Sequence, residues 1–303
     1  MSTFPDGLFQ YGGQPVGATW ASPWSVARFV DYDNGSVGYD GLKPTQACAT
    51  IQQAVTASSR GDVIYVRPRA YVVGTGFSRY TEEVTTALAQ SDLSIIGCVN
   101  TPNPEYGVRW KHATNTTGYC LINIAPALHL ENIGFFAEDA AGAVHILNNG
   151  ATDTQRGSDG TTFYNCVIKA GRVINADGGD GLTFKNCYFH GKYGGGATGG
   201  ITFTCSANPG RRLKILNCGF QEGNGTTCAT EYINIAGVAS EVVIKDCYFG
   251  LIPTSAKYIL ITSSTGIIAN CYFEDTDLDL TDDLTLSNVI PAGLWDATMA
   301  MAS

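Results

Sequence analysis

An all-β fold is what this sequence predicts: a right-handed, single-stranded parallel β-helix with a short N-terminal capping helix and extended terminal arms. Three observations predict it. A short β-patterned segment recurs in one frame, a further apolar strand precedes most copies, and the composition is low in charge but rich in glycine.

The recurring segment aligns on an Asn-Cys pair. Leu182-Thr-Phe184-Lys-Asn186-Cys187-Tyr-Phe189 matches Leu213-Lys-Ile215-Leu-Asn217-Cys218-Gly-Phe220, Val242-Val-Ile244-Lys-Asp246-Cys247-Tyr-Phe249 and Gly266-Ile-Ile268-Ala-Asn270-Cys271-Tyr-Phe273. Thr161-Thr-Phe163-Tyr-Asn165-Cys166-Val-Ile168 fits too, with looser copies at Leu128–Phe135, where the pair is Asn132-Ile133, and at Leu93–Cys98, where it is Gly97-Cys98. Successive corner positions lie 35, 33, 21, 31, 29 and 24 residues apart, a period typical of solenoids. Each copy alternates apolar residues with period two, breaks at a short polar residue, then alternates again, which describes two strands meeting at a bend. Asparagine suits the bend because it tolerates the left-handed conformation and bonds to nearby backbone. Third strands are predicted at Cys120–Ile124, Arg172–Asn175, Tyr232–Ile235 and Tyr258–Ile261, and an early rung at Val63–Val66. Stacked at about 4.8 Å, roughly eight rungs span about 40 Å, and crossover chirality makes the coil right-handed.

Composition agrees. The chain has 303 residues, only 15% charged, with 36 glycines and a formal charge of −9. That length can bury a large core, and the balance of charge to apolar residues is opposite to that of a disordered chain. An acidic chain without a basic stripe is not expected to bind nucleic acid. No apolar run is long enough for a membrane span. Met1–Gln10 has neither a basic nor an apolar stretch, so synthesis in a reducing cytosol without a secretory signal is expected. The ten cysteines therefore do not read as a disulfide framework. Zinc is not expected either, since no two are separated by fewer than nine residues. Cys166, Cys187, Cys218, Cys247 and Cys271 instead follow the corner positions Asn165, Asn186, Asn217, Asp246 and Asn270, and should stack as an internal column of small side chains; Ile133 fills the same slot after Asn132. Cys48, Cys205 and Cys228 have no place in that frame.

A second signal lies upstream. Phe29-Val-Asp-Tyr-Asp-Asn-Gly35-Ser is followed by Asp40-Gly-Leu-Lys-Pro44, Ala49-Thr-Ile51-Gln-Gln-Ala54-Val and Arg60-Gly-Asp62-Val-Ile-Tyr-Val-Arg-Pro68. Residues 45–57 read as a short amphipathic helix that could plug the open end of the coil. With the repeats, this segment resembles the pectate-lyase-like superfamily of right-handed β-helices over about Phe29–Phe273, a likeness more specific for fold than for function. Met1–Gly17, with Phe4, Leu8, Phe9 and Tyr11 among glycines and prolines, resembles the extended arms that open bacteriophage virion proteins. These residues, with Trp20 and Trp24, offer apolar area for attachment; an arm folded back on its own coil is the alternative.

The resemblance implies where chemistry would lie. Lyases of this superfamily use calcium-binding acids and an arginine, and its hydrolases use paired aspartates. The most suggestive group here is Asp177 and Asp180 with Glu222, His190, Arg211 and Arg212, since paired carboxylates can supply acid and base. Yet the polygalacturonase-like motifs are absent, and Asp-Gly-Gly-Asp is also a turn sequence. Gly194–Gly199 lacks the βαβ setting of a dinucleotide site, and Asp275-Thr-Asp277-Leu-Asp279 lacks the glycine and glutamate of a calcium loop. His112, His129, His145 and His190 have no metal spacing, and His129 should point outward. Long insertions are expected at Val99–Gly118, Ala137–Gly160 and Gly191–Pro209, with Tyr106 and Trp110 as candidate contacts to a partner or sugar.

The expected organisation is an attachment arm (1–28), a β-helix (29–283) and a C-terminal tail (284–303). No catalytic, cofactor or metal residues are assigned. The expected function is a non-catalytic bacteriophage structural protein in the virion, most of all a capsid decoration or cement protein, trimeric by family analogy and contacting other virion proteins. Alternatives are a tailspike or fibre that binds or degrades a host glycan, and a free polysaccharide lyase or hydrolase.

Overall fold

Strands of three or four residues are too short to stand alone, so stacking must stabilise them. The computed structural model describes residues 10–11, 14–15, 25–72, 76–98, 107–112, 119–136, 144–149, 158–169, 172–176, 180–190, 200–205, 211–221, 231–237, 241–250, 257–261 and 265–274. Three parallel sheets dominate. The first has eight strands, from Tyr80–Thr81 to Tyr272–Phe273; the second has seven, from Val84–Thr85 to Lys257–Ile261; the third has nine, from Ala27–Val30 to Gly266–Ala269. From Tyr80 onward the chain visits first, second and third sheet in turn, so each strand pairs with the one three further along. That is the topology of a parallel β-helix with three strands per coil.

Register explains the interior. Phe189, Phe220, Phe249 and Phe273 are direct partners on successive strands of the first sheet. Their rings stack with centroids 4.6–4.8 Å apart and planes within 5°, the spacing of neighbouring strands themselves. Phe163 and Phe184 repeat this in the third sheet at 4.8 Å. Stacking like on like along the coil gives each ring a near-parallel partner one strand away.

Three expectations about loops are corrected here. The stretches 137–160 and 191–209 contain or run into the strands Val144–Asn149 and Gly200–Cys205 of the second sheet, because every coil needs its third strand. The stretch 99–118 likewise contains Val108–Lys111. Trp110 is therefore no loop contact: it is fully buried against Phe135, and its indole N–H donates to the Glu82 carbonyl at 3.0 Å.

At the N-terminal end the third sheet begins with Ala27–Val30, two residues ahead of the expected boundary, paired with Val63–Val66. The free edge of Ala27–Val30 is covered by the following loop: Phe29 N–H donates to Gly41, Cys48 N–H to Phe29, and Asp31 N–H to Cys48. This satisfies an edge that would otherwise template further strands. The chain then forms a 3-10 turn at Pro44–Gln46 and one α-helix at Ile51–Ala57, shorter than the expected 45–57. Thr50 caps the helix by accepting from Gln53 N–H at 3.1 Å, and Gln53 accepts from Ala49 N–H in return. Ile51, Ala54 and Val55 are fully buried in the main core. The Glu82 carboxylate accepts from Ile51 and Gln52 N–H at 2.9 and 3.0 Å, tying the helix to the next coil. Burial pushes the Glu82 carboxyl up, against the pull of those two N–H groups.

Candidate functional site

The corner residues come first, because the repeat points to them. Asn132, Asn165, Asn186, Asn217, Asp246 and Asn270 all adopt the left-handed conformation, with φ between 49° and 57°. Each joins a strand of the third sheet to one of the first. Side-chain amides link successive corners: Asn165 Nδ2 donates to Asn132 Oδ1, Asn217 Nδ2 to Asn186 Oδ1 at 2.9 Å, and Asn270 Nδ2 to Asp246 Oδ1 at 3.1 Å. Gly97, which opens the series, has no room for a side chain, since a Cβ would collide with the Asn132 carbonyl.

Inside five of these six corners sits a thiol, and Ile133 takes the slot after Asn132. Cys166, Cys187, Cys218, Cys247 and Cys271 are buried and unbridged. Their Sγ atoms lie 3.2–3.5 Å from the carbonyl two residues earlier in the same corner, and four lie 3.4–3.8 Å from a carbonyl of the preceding rung. A thiol fits because it packs as a small apolar group yet donates weakly to the carbonyls a tight corner turns inward. Burial pushes the Cys187 and Cys218 thiols far up, while the Cys218 thiol and burial push Cys247 up to about 12. Such thiols are inert rather than nucleophilic. Cys48, Cys98 and Cys120 are also buried and form no disulfide; Cys228 and the Cys205 side chain lie outside the described residues.

A second series of corners, which sequence reasoning missed, stands before seven of the nine strands of the third sheet. Gly61, Asp92, Ala127, Gly160, Gly181, Arg212 and Glu241 all have positive φ, from 54° to 78°. The residue after each is buried: Asp62, Leu93, Leu128, Thr161, Leu182, Leu213 and Val242. No residue type marks these corners. The buried position just after them, leucine at four of the seven and valine at one, is the signal that could have found them.

The carboxylate group does not form an acid–base pair among the described residues. Asp180 belongs to the second corner: its N–H donates to Asp159 Oδ1 at 2.9 Å, its Oδ1 accepts from Arg211 N–H at 2.8 Å, and its Oδ2 lies 3.7 Å from Arg212. It brackets three rungs. Asp177 and Glu222 lie outside the described residues, as do Tyr106, Phe4, Leu8, Phe9 and Asp275–Asp279. Tyr11 is described only as backbone, in a short antiparallel pair with Gln14. His129 shares its strand face with Glu131, on the side opposite Leu130, but is 9% exposed and lies 3.1 Å from the Glu131 carboxylate; its surface is covered rather than open. His190 lies on the first sheet beside Tyr188, away from the Asp180 corner.

Two more polar groups stand out and both are closed networks. Thr86 Oγ1 donates to Asn123 Oδ1 at 2.8 Å, Asn123 Nδ2 to Thr161 Oγ1 at 2.9 Å, and Thr161 to the Ser158 carbonyl at 2.7 Å. The Asp31 carboxylate accepts from Asp33 N–H, from Asn34 N–H and Nδ2, and from Arg67 at 2.6 Å. Burial opposes ionisation of Asp31, yet the Asn34 hydrogen bond and the Arg67 guanidinium hold its carboxyl below the usual range. A Cβ on Gly35 would collide with the Asp31 and Cys48 carbonyls. The Asp-x-x-Asn-Gly sequence is thus the covering loop's own brace.

The open surfaces are elsewhere. Among the described residues, large exposed apolar side chains gather at the two ends of the stack: Val26, Tyr32, Val37, Tyr39, Leu42 and Leu88 at one, Tyr248, Ile267 and Tyr272 at the other. Val37 is the most exposed, at 81%. Among the described residues no three His, Cys, Asp or Glu side chains are placed to hold a metal ion, and no helix is long and apolar enough to cross a membrane. Compared with family models, curated proteins and solved structures, the chain matches none, so its residues and their geometry alone carry the functional reading.

Proposed function

We propose that the protein is a non-catalytic structural component of a bacteriophage particle, a capsid decoration or cement protein attached through its N-terminal end. The observation that carries this reading is the set of exposed Val26, Tyr32, Val37, Tyr39 and Leu42 at the end of the stack where the expected attachment arm, residues 1–28, runs into the coil. An apolar patch continuous with an apolar arm is an attachment surface. The coil is right-handed in this proposal, as crossover chirality requires, and the helix Ile51–Ala57 closes its N-terminal end. Asp180, the one described member of the candidate acid pair, is occupied as a structural bracket, which favours a structural over a hydrolytic role. Imaging purified particles tests the proposal. Density for the protein on the capsid is expected, and removal of Met1–Gly17 should leave a folded protein that no longer attaches. Absence from particles, or cleavage of host polysaccharide by the purified protein, would favour the tailspike or free-enzyme alternative.

A further inference from the structure

We infer that the C-terminal end of the coil is an interaction surface for the chain's own tail, with residues 275–291 adding one further rung that a proline terminates. The end needs a cover. Ile259, Ile268 and Cys271 belong to the last described strands and corner, yet they are only 1%, 1% and 2% exposed. Among the described residues no rung lies beyond them. Uncovered, that end would present an apolar cross-section and the unpaired edges of three sheets.

The sequence after Glu274 fits the frame of the rungs before it. Leu284-Thr-Leu286-Ser-Asn288-Val289 repeats Leu213-Lys-Ile215-Leu-Asn217-Cys218, with leucines at the two inward positions and asparagine at the left-handed corner. Valine stands in the thiol's slot, where Ile133 already shows that a β-branched apolar residue fits. Asp283 falls on the other corner, where Asp92 has φ 59°. Leu278 lies eight residues past Asn270, just as buried Val173 of the second sheet lies eight past Asn165, and Leu280 follows at the period of a strand. Leu280 reaches Asp283 in three residues, against four from buried Asn123 to Ala127. The added coil, Asn270 to Asn288, has 18 residues, three fewer than the coil from Asn165 to Asn186.

Hydrogen-bond polarity sets how this rung would seat. Asn217 N–H donates forward to Lys245, the Cys218 carbonyl accepts from Tyr248 N–H, and the Leu213 carbonyl accepts from Val243 N–H. The same groups on the last rung are Asn270 N–H and the Cys271 and Gly266 carbonyls, which would meet the Ser287 carbonyl and the N–H groups of Ile290 and Thr285. Tyr248 and Gly250 donate back to Cys218 and Phe220, so Phe249 between them turns its backbone to the following rung, where its carbonyl accepts from Glu274 N–H at 3.0 Å. Pro291 takes the position of Phe249 in the added rung. It has no N–H to offer onward, so the stack ends there.

Charge assigns the cover to the same chain rather than to the matching end of a second copy. Residues 274–303 carry seven acids and no lysine or arginine, so two such ends repel each other. Asp277 and Asp279 alternate with Leu278 and Leu280 and supply the polar outer face that a terminal repeat needs.

Hydrogen exchange of the full-length protein tests the rung, independently of any attachment to a particle. The Thr285 and Ile290 amides should exchange at least about a hundredfold more slowly than those of residues 297–303, and the protection should persist on dilution. Leu286→Asp, which places a carboxylate on the inward side, should lower the melting temperature by about 5 °C or more and open residues 284–290 to exchange. Thr285→Asp, on the outward side, should change neither. Unprotected amides at 285 and 290 in the wild-type protein would overturn the proposal whether or not the variants fold. So would equal effects of the two substitutions, or protection lost on dilution, which would assign the cover to a second copy.

Discussion

Two left-handed corners flank each of the five strands of the third sheet from His129–Glu131 to Val242–Lys245, and they differ less in backbone than in sequence. At both, the left-handed residue donates its N–H to the next rung, to the residue just before the matching corner. Asn186 donates to Leu216 and Asn217 to Lys245 at one corner; Gly160 donates to Asp180 and Gly181 to Arg211 at the other. One corner adds an amide ladder outside and a thiol inside, and so repeats Asn-Cys. The other is met by glycine, alanine, aspartate, arginine or glutamate alike. A shared conformation therefore leaves a sequence signature only where a side chain has work to do.

The largest test of that contrast is alkali, because the asparagine corner is the one that carries the column of interior thiols. Between the ordinary thiol value of 9.0 and the raised folded value, about 12 for Cys247, the unfolded chain has released protons that the folded chain keeps. Stability then falls as pH rises, by about 1 kcal/mol per pH unit for each protected thiol. Urea midpoints at pH 9 and 11 should differ markedly, and the difference should shrink in Cys187→Val/Cys218→Val. Next is Asn186→Val, which removes the acceptor for Asn217 and puts a β-branched residue at φ 56°. It should cost about 3 kcal/mol in denaturant titration. Replacement by glycine should separate the corners by sign. Glu241→Gly relieves a left-handed φ of 60° and should raise stability by about 0.5–1 kcal/mol; Asn217→Gly gives up a ladder bond and should lower it by about 1 kcal/mol. Equal signs would mean the ladder contributes nothing. The smallest effect is at Asp246, whose ionised carboxylate can only accept and so cannot donate onward to Asn217. Asp246→Asn restores a donor and should gain about 0.5 kcal/mol in melting experiments.

What could be read beforehand follows the same logic. The asparagine corners, the thiol positions and the strands beside them were legible because alternation and a fixed polar residue coincide at each copy. Strands of the second sheet were partly hidden: Val144–Asn149 lies within a stretch of variable length, where no corner residue fixes the frame. Trp110 was misread for a related reason, since polar residues around its strand made the segment look like an insertion, although Val108 and Trp110 alternate inward with Arg109 and Lys111. Asp180 looked like half of an acid pair because a turn and a carboxylate site share the same residue types; only its three partners distinguish them.

The variable distance between corners has an engineering consequence. Coils as different as the 21 residues from Asn165 to Asn186 and the 33 from Asn132 to Asn165 advance the stack by the same single strand spacing. Length is thus decoupled from pitch, and the molecule behaves as a graduated rail. Foreign peptides inserted between the second-sheet strands and the following corner would be displayed at fixed intervals, with their number and order set by the rungs rather than by their own size.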